Sequence, residues 1–296
     1  MWLFFALLSP LFWASTCVMD SVCVKEVFRK PWIGIVTSAL ASLVVFLAVP
    51  FIAPFVEWSV PSWGIVGLAL LAGALIQISQ MFYFQALAYS EAGIVAAYWN
   101  LTPALLPITS FFIVDQILEL PQYAGIGVLI FASVCFCFLD ANFAFRWRSF
   151  FLMLGASILQ VAALLFEDRV YEQAPYFLGF LLITTGLILM GISPLLLPSA
   201  LKVFRSNLPA LRPIASIIVG IEVMNLLALA SSQRAIDLGV PSLVAAVETM
   251  IPAYTFLLSF LLLVIVPRFG DPQASSHLPQ KVGLVLGMAG GVYLLS

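Results

Sequence analysis

Residues 86–107, ALAYSEAGIVAAYWNLTPALLP, run from an apolar helix end through a short polar turn into a second apolar stretch with two prolines. The pattern occurs twice. A shift of 149 residues lays Ala86-Leu87 on Ala235-Ile236, Pro103-Ala104 on Pro252-Ala253, and Asn100 on Thr249. A repeat of that period describes a chain built from two related halves, and such a repeat decides the fold before any single residue does.

Working outward, composition sets the solvent. Of the 296 residues, 63% are hydrophobic and 9% charged, more apolar surface than one water-soluble core can hide. A formal charge of -2 lacks the basic face that nucleic-acid binding needs. The 25 Phe and 7 Trp suit lipid contact and interfacial anchoring. Crossing about 30 Å of hydrocarbon takes roughly 20 helical residues. Ten apolar runs qualify: Trp2 to Val24, Trp32 to Pro54, Trp63 to Ala88, Gly93 to Val114, Tyr123 to Leu139, Phe150 to Phe166, Tyr176 to Leu197, Ile214 to Ser232, Pro241 to Val266 and Val282 to Leu295, the last extendable back to Leu278. They are continuously apolar instead of alternating, so helices are expected in place of a barrel. The amino-terminal run carries no basic residue before it and continues past Cys17 to a spanning length, against a cleaved signal. Cys17, Cys23, Cys135 and Cys137 lie in or beside apolar runs, where packing is their expected role.

These residues resemble the drug/metabolite transporter superfamily, EamA type. The resemblance rests on the double five-helix layout, the repeated stretches Ala86 to Pro107 and Ala235 to Pro252, and the sequel Asp115 to Gly125, DQILELPQYAG; it extends over essentially the whole chain. It implies an all-α integral membrane protein of ten transmembrane helices in two inverted five-helix repeats, residues 1–140 and 141–296, with a substrate cavity between them. An odd helix number per repeat independently turns the second copy upside down, as in alternating-access carriers. The resemblance also implies metabolite export, and residence in a bacterial cytoplasmic (inner) membrane as monomer or homodimer. The partners expected are the lipid bilayer and a small-molecule substrate. Two departures stand out. Val114-Asp115 occupies the place of the family's usual Gly-Glu, and the family expectation of cytoplasmic termini meets an opposing charge bias.

Chemistry at membrane depth falls to few side chains. Glu222 lies near the centre of the eighth run and Glu248 about two turns into the ninth, where a carboxylate costs about 2.5 kcal/mol or more. Glu222 shares a face with Asn225. Two readings stand for each acid: a cavity group, able to carry a proton through a transport cycle, or a neutral packing group. Gln77 and Gln80 share a face of the third run, and Asn100, Pro103 and Pro107 a stripe of the fourth, beside Tyr98 and Trp99. A proline inside a spanning helix frees a carbonyl, so Pro103, Pro107 and Pro252 are gating or kink candidates. A shift of 147 lays Asp20 on Glu167 and Trp13 on Gln160; the two acids, near helix ends, read as solvated, and Trp13 as a cavity candidate. Gly283, Gly287 and Gly291 form a small-residue stripe whose partner is either the fifth helix, through Gly125, or a second protomer, with the first favoured.

All 12 Lys and Arg are expected in loops or at helix ends, so the cavity holds acids without bases. Tyr83, Tyr98, Trp99 and Tyr254 supply aromatic faces, each worth about 0.5 to 2 kcal/mol to a desolvated ammonium. An amine-bearing solute follows, an amino acid first and an organic cation second; a non-transporting scaffold is the alternative class. No nucleotide-binding Gly-x-x-x-x-Gly-Lys-Ser/Thr motif occurs, and His277 has no neighbouring metal-ligand partner, so no cofactor, metal or enzymatic activity is indicated.

Numbering loops by the helices they join, ten Lys and Arg fall in odd loops and only Arg169 and Arg234 in even ones, which directs both termini outward. A cysteine introduced near Ser296 is therefore expected to react with an impermeant reagent on intact cells. Labelling only after lysis reverses the orientation.

Overall fold

The computed structural model describes residues 1–22, 27–28, 30–56, 58–59, 61–90, 92–140, 147–265 and 277–296. The described residues form helices joined by turns and short irregular segments, without a strand. Eight helical stretches among them are long and apolar enough to cross a membrane, and Trp2–Thr16 is a shorter apolar helix. The chain is a multi-pass membrane protein.

The first half comprises α1 (Trp2–Val22), α2 (Trp32–Ala41), α3 (Val45–Ile52), α4 (Trp63–Leu87), α5 (Ala92–Trp99), α6 (Leu101–Val114) and α7 (Leu120–Asp140). The second comprises α8 (Trp147–Tyr171), α9 (Tyr176–Ile192), α10 (Pro198–Leu211), α11 (Ala215–Leu238), α12 (Pro241–Glu248), α13 (Ile251–Ile265) and α14 (Leu278–Leu295). Helices α2 and α3 form one apolar span interrupted by a 3-10 turn at Ser42–Val44.

Boundaries differ from the sequence expectation where local interactions outweigh hydropathy. Lys202 and Arg205, expected in a loop, lie on α10. Pro198 opens this helix, where a missing N–H is not needed, and Phe204, Asn207 and Leu211 form its buried face. Phe204 and Leu211 pack with Ile33 and Val36 of α2, while Lys202 and Arg205 stay exposed. Helices α8 and α11 run five or six residues past the expected ends. Arg169 and Arg234, expected in loops, lie in these extra turns and pair with Glu172 and Asp237 three residues on. His277 is exposed at the left-handed N-cap of α14, and Lys281, also expected in a loop, is 1% exposed in its first turn, Nζ 5.6 Å from the Phe256 ring. Its stem runs along apolar surface from the helix end.

The halves are joined crosswise. Helix α1 packs along α11, α4 along α8, and α7 along α14. Glycines set the closest approaches. A Cβ on Gly73 of α4 would lie 1.9 Å from the Ile183 carbonyl of α9, and one on Gly186 would lie 2.2 Å from the Leu70 carbonyl. On α14 only Gly291 of the expected stripe is engaged, 3.3 Å from the Gly125 carbonyl for a virtual Cβ; Gly283 and Gly287 face open space. Cys135 and Cys137 are free thiols, Cys137 buried; Cys17 and Cys23 lie outside the described side chains.

Gly73→Ala must push α4 off α9 and is expected to cost about 1 to 3 kcal/mol by overpacking. Gly67→Ala, with nothing within 4 Å of its Cβ, is expected to be neutral or stabilising. Thermal unfolding of the purified variants in detergent compares them; equal Tm values would remove the argument for backbone contact.

Candidate functional site

Two helices break inside their spans, at positions that the 149-residue shift superposes. The Asn100 amide donates to the Ala97 carbonyl at 3.1 Å, and the Thr249 hydroxyl donates to the Ala246 carbonyl at 2.7 Å. Each polar side chain thus caps the carbonyl end of a short half-helix, α5 or α12, in groups that lipid cannot satisfy. Pro103 and Pro252 stand in the first turns of the following helices, α6 and α13. There they open a helix instead of kinking one, which corrects the sequence expectation for these two positions. Pro107 does lie inside α6, where its ring removes the donor that would bond the Pro103 carbonyl.

Between the halves, beside both breaks, is a cavity of about 200 Å³. Glu222, Asn225, Gln77, Gln80, Tyr83, Trp99, Asn100, Trp13, Glu248, Pro103 and Pro252 all line it. Three other candidates stand off its wall. Tyr98 is turned to α8, its ring 5.5 Å from Phe150; Tyr254 and Pro107 lie on other faces of α13 and α6.

Glu222 is 5% exposed and is held by α2 and the 3-10 turn that follows it. Ser42 donates to Oε1 at 2.6 Å and Ser38 to Oε2 at 2.9 Å. The two serines are four residues apart and so share a helix face. Beside them, Thr16 of α1 donates to Oδ1 of Asn225 at 3.0 Å, and Gln77 fixes α4 to α2 by donating to the Ile35 carbonyl at 3.1 Å. Tyr83 meets Trp99 edge to face at 5.8 Å and forms an aromatic wall. Glu248 accepts from Ser232 at 2.5 Å and Ser9 at 3.5 Å, both to Oε1. No Lys or Arg pairs with Glu222 or Glu248 among the described residues.

Sequence reading missed much of the polar wall. Ser38, Thr16, Thr102, Ser133 and Gln160 line the cavity, and Ser42 backs it. The i, i+4 spacing of Ser38 and Ser42 on an apolar run was the available signal; Thr102 and Ser133 look like ordinary small residues of membrane helices. Glu167 was expected to be solvated but is 1% exposed, because Gln233 of α11 donates to it at 3.0 Å. The side chain of Asp20, its counterpart, lies outside the described residues.

The family model described as the EamA-like transporter family matches residues 1–139. No curated protein sequence matches. A solved structure, described only as a crystal structure of a protein, is 17% identical, with a TM-score of 0.69 over 99% of this chain and 96% of that one. That likeness shows the fold alone, and it extends through the half beyond the EamA-like match. The EamA-like half supplies the Asn100 break, Gln77 and the two serines; the other supplies Glu222, Asn225 and Glu248.

Proposed function

We propose that the chain is a secondary carrier that exports a small amine-bearing metabolite, an amino-acid-like zwitterion, across a bacterial cytoplasmic membrane. In this reading it has ten transmembrane helices in two inverted five-helix repeats, residues 1–140 and 141–296, and the cavity between them alternates its access. The matched caps at Asn100 and Thr249 and the crosswise pairing of α1 with α11 and α4 with α8 support the repeats.

The observation that carries the substrate class is Glu222. Its carboxylate borders the cavity, is held by hydroxyl groups, and has no basic partner among the described residues. A low-dielectric site of that kind favours a cation as its missing partner. Tyr83, Trp99 and Trp13 on the same wall add π faces for an ammonium group. The cavity size favours a small zwitterion over a multidrug-type cation, since drug-sized pockets begin at roughly 300 Å³. The Asn100 and Thr249 breaks place helix N-termini, the starts of α6 and α13, where a substrate carboxylate can be met.

Purified protein in liposomes, offered amino acids, organic cations and organic anions, is expected to carry amines selectively. Glu222→Gln keeps the shape and removes the charge; loss of a charged hydrogen bond of about 1.5 to 3 kcal/mol weakens apparent amine affinity by tenfold or more. Flux of dicarboxylates without amines contradicts the substrate class, and no flux of any solute leaves the scaffold reading.

A further inference from the structure

The two helix breaks are related by the repeat but differ in chemistry. The 149-residue shift lays Trp99 on Glu248 and Thr102 on Ile251. The first break therefore offers an indole and a hydroxyl where the second offers an acid and an apolar side chain. The one hydroxyl at the second break, that of Thr249, is engaged with the Ala246 carbonyl at 2.7 Å. Glu248 is held toward α1 and α11, since its Oε1 accepts from Ser9 and Ser232.

Thr102 is 3% exposed in the first turn of α6 and lines the cavity, and its hydroxyl has no hydrogen-bond partner among the described residues. A threonine in an apolar helix ordinarily donates to a carbonyl three or four residues back. Thr109, two turns on, donates in that way to Leu105 and Leu106 at 3.0 and 2.9 Å, and Thr255 of α13 to Ile251 at 2.9 Å. Ser133 of α7 repeats the exception: it is 1% exposed, lies on the cavity wall and is unpartnered, as is Gln160 Oε1 of α8. Buried polar oxygens without protein partners are satisfied by water or a polar ligand. Ser79, Ser157 and Thr184 also lack partners but do not line the cavity, so they point to no ligand there.

The fold sets these hydroxyls apart from Glu222. Glu222 and its serines belong to α11 and to the span that begins with α2. Helices α6 and α7 pack on each other and on α12, and among the described residues neither packs along α2 or α11. One wall of the cavity thus supplies a negative charge. Another supplies two hydroxyl donors and the N-terminus of a 14-residue helix, whose first N–H groups carry the positive end of its dipole.

We infer that the start of α6, with the Thr102 and Ser133 hydroxyls, is the subsite for the substrate's carboxylate, and that the start of α13 is not. The substrate is then an amino acid bound in one orientation, its ammonium group to Glu222 and its carboxylate to α6. Both hydroxyls donate to it without giving up a bond to the protein. A carboxamide keeps the contact with Glu222 and loses the charge that the α6 start favours. This assignment deepens the carrier reading and rests on it.

The full-length protein in liposomes is offered a panel of neutral amino acids, each in competition with its own carboxamide. Every amino acid that is carried is expected to bind about tenfold or more better than its amide. Thr102→Val keeps the shape and removes the donor, so it weakens the amino acid about tenfold and leaves the amide unchanged. Ser133→Ala acts in the same direction, Thr102→Ser restores the preference, and Glu222→Gln weakens acid and amide together. Because the Thr102 hydroxyl bonds nothing in the protein, Thr102→Val is expected to keep the wild-type Tm; a lowered Tm overturns the assignment by giving the hydroxyl a role in the fold. Amides that compete as well as the acids, or a preference that survives both Thr102→Val and Ser133→Ala, overturn the subsite and leave the carrier reading intact. Flux of no amine at all refutes the carrier reading, and the subsite with it.

Discussion

A carboxylate at membrane depth must find partners inside the protein, and the contact of Glu222 with Ser38 and Ser42 is the arrangement on which the rest of the cavity depends. It ties α11 to α2 through polar groups where most helix pairs meet through apolar or small ones. The 149-residue shift that lays Asn100 on Thr249 also lays Gly73 on Glu222. Gly73 brings α4 into backbone contact with α9, whereas Glu222 stands its helix off α2 and lets side chains fill the space between. One position in the two halves therefore closes one interface tightly and leaves the other lined with hydroxyls. That asymmetry accounts for a cavity with polar walls on the α2 side. Removal of the serines would leave an unsatisfied buried charge, a larger cost than loss of an ordinary surface bond.

The helix breaks serve the same wall by a different route. A half-helix that ends within the membrane presents orphan carbonyls, and the one that follows presents orphan N–H groups. Asn100 and Thr249 satisfy part of the first set with their own side chains, and Pro103 and Pro252 reduce the second set by having no N–H to satisfy. Trp99, Glu248 and the unpartnered Thr102 hydroxyl line the cavity beside these junctions. Short half-helices are thus affordable only because their ends meet polar side chains or solute.

The sequence made legible what depends on local pattern. Hydropathy located the long apolar helices, and the repeat aligned Asn100 with Thr249, but both helix breaks fell inside runs expected to be continuous. The depth of Glu222 within its run marked it for the cavity, and Gln77, Gln80 and Asn225 followed from helical spacing. What depends on partners distant in the chain stayed hidden. Glu167 looked like a solvated helix-end acid because Gln233, which buries it, lies 66 residues away. Tyr98 looked equivalent to Trp99, yet successive helix positions point apart, and Tyr98 went to Phe150. Hydropathy also hid α10, whose basic residues suggested a loop while Phe204 and Leu211 supplied a buried face toward α2.

The central claim is that two related halves hold one cavity and exchange a tight interface for a polar one as access alternates. Paired spin labels at exposed positions test it: Leu43 with Val219 across the α2 side, and Leu71 with Leu189 across the α4–α9 side. Distances measured in liposomes with and without a transported amine are predicted to change in opposite senses, the first pair approaching in the population where the second separates. Two distance distributions that stay fixed, or that lengthen together, would contradict the account.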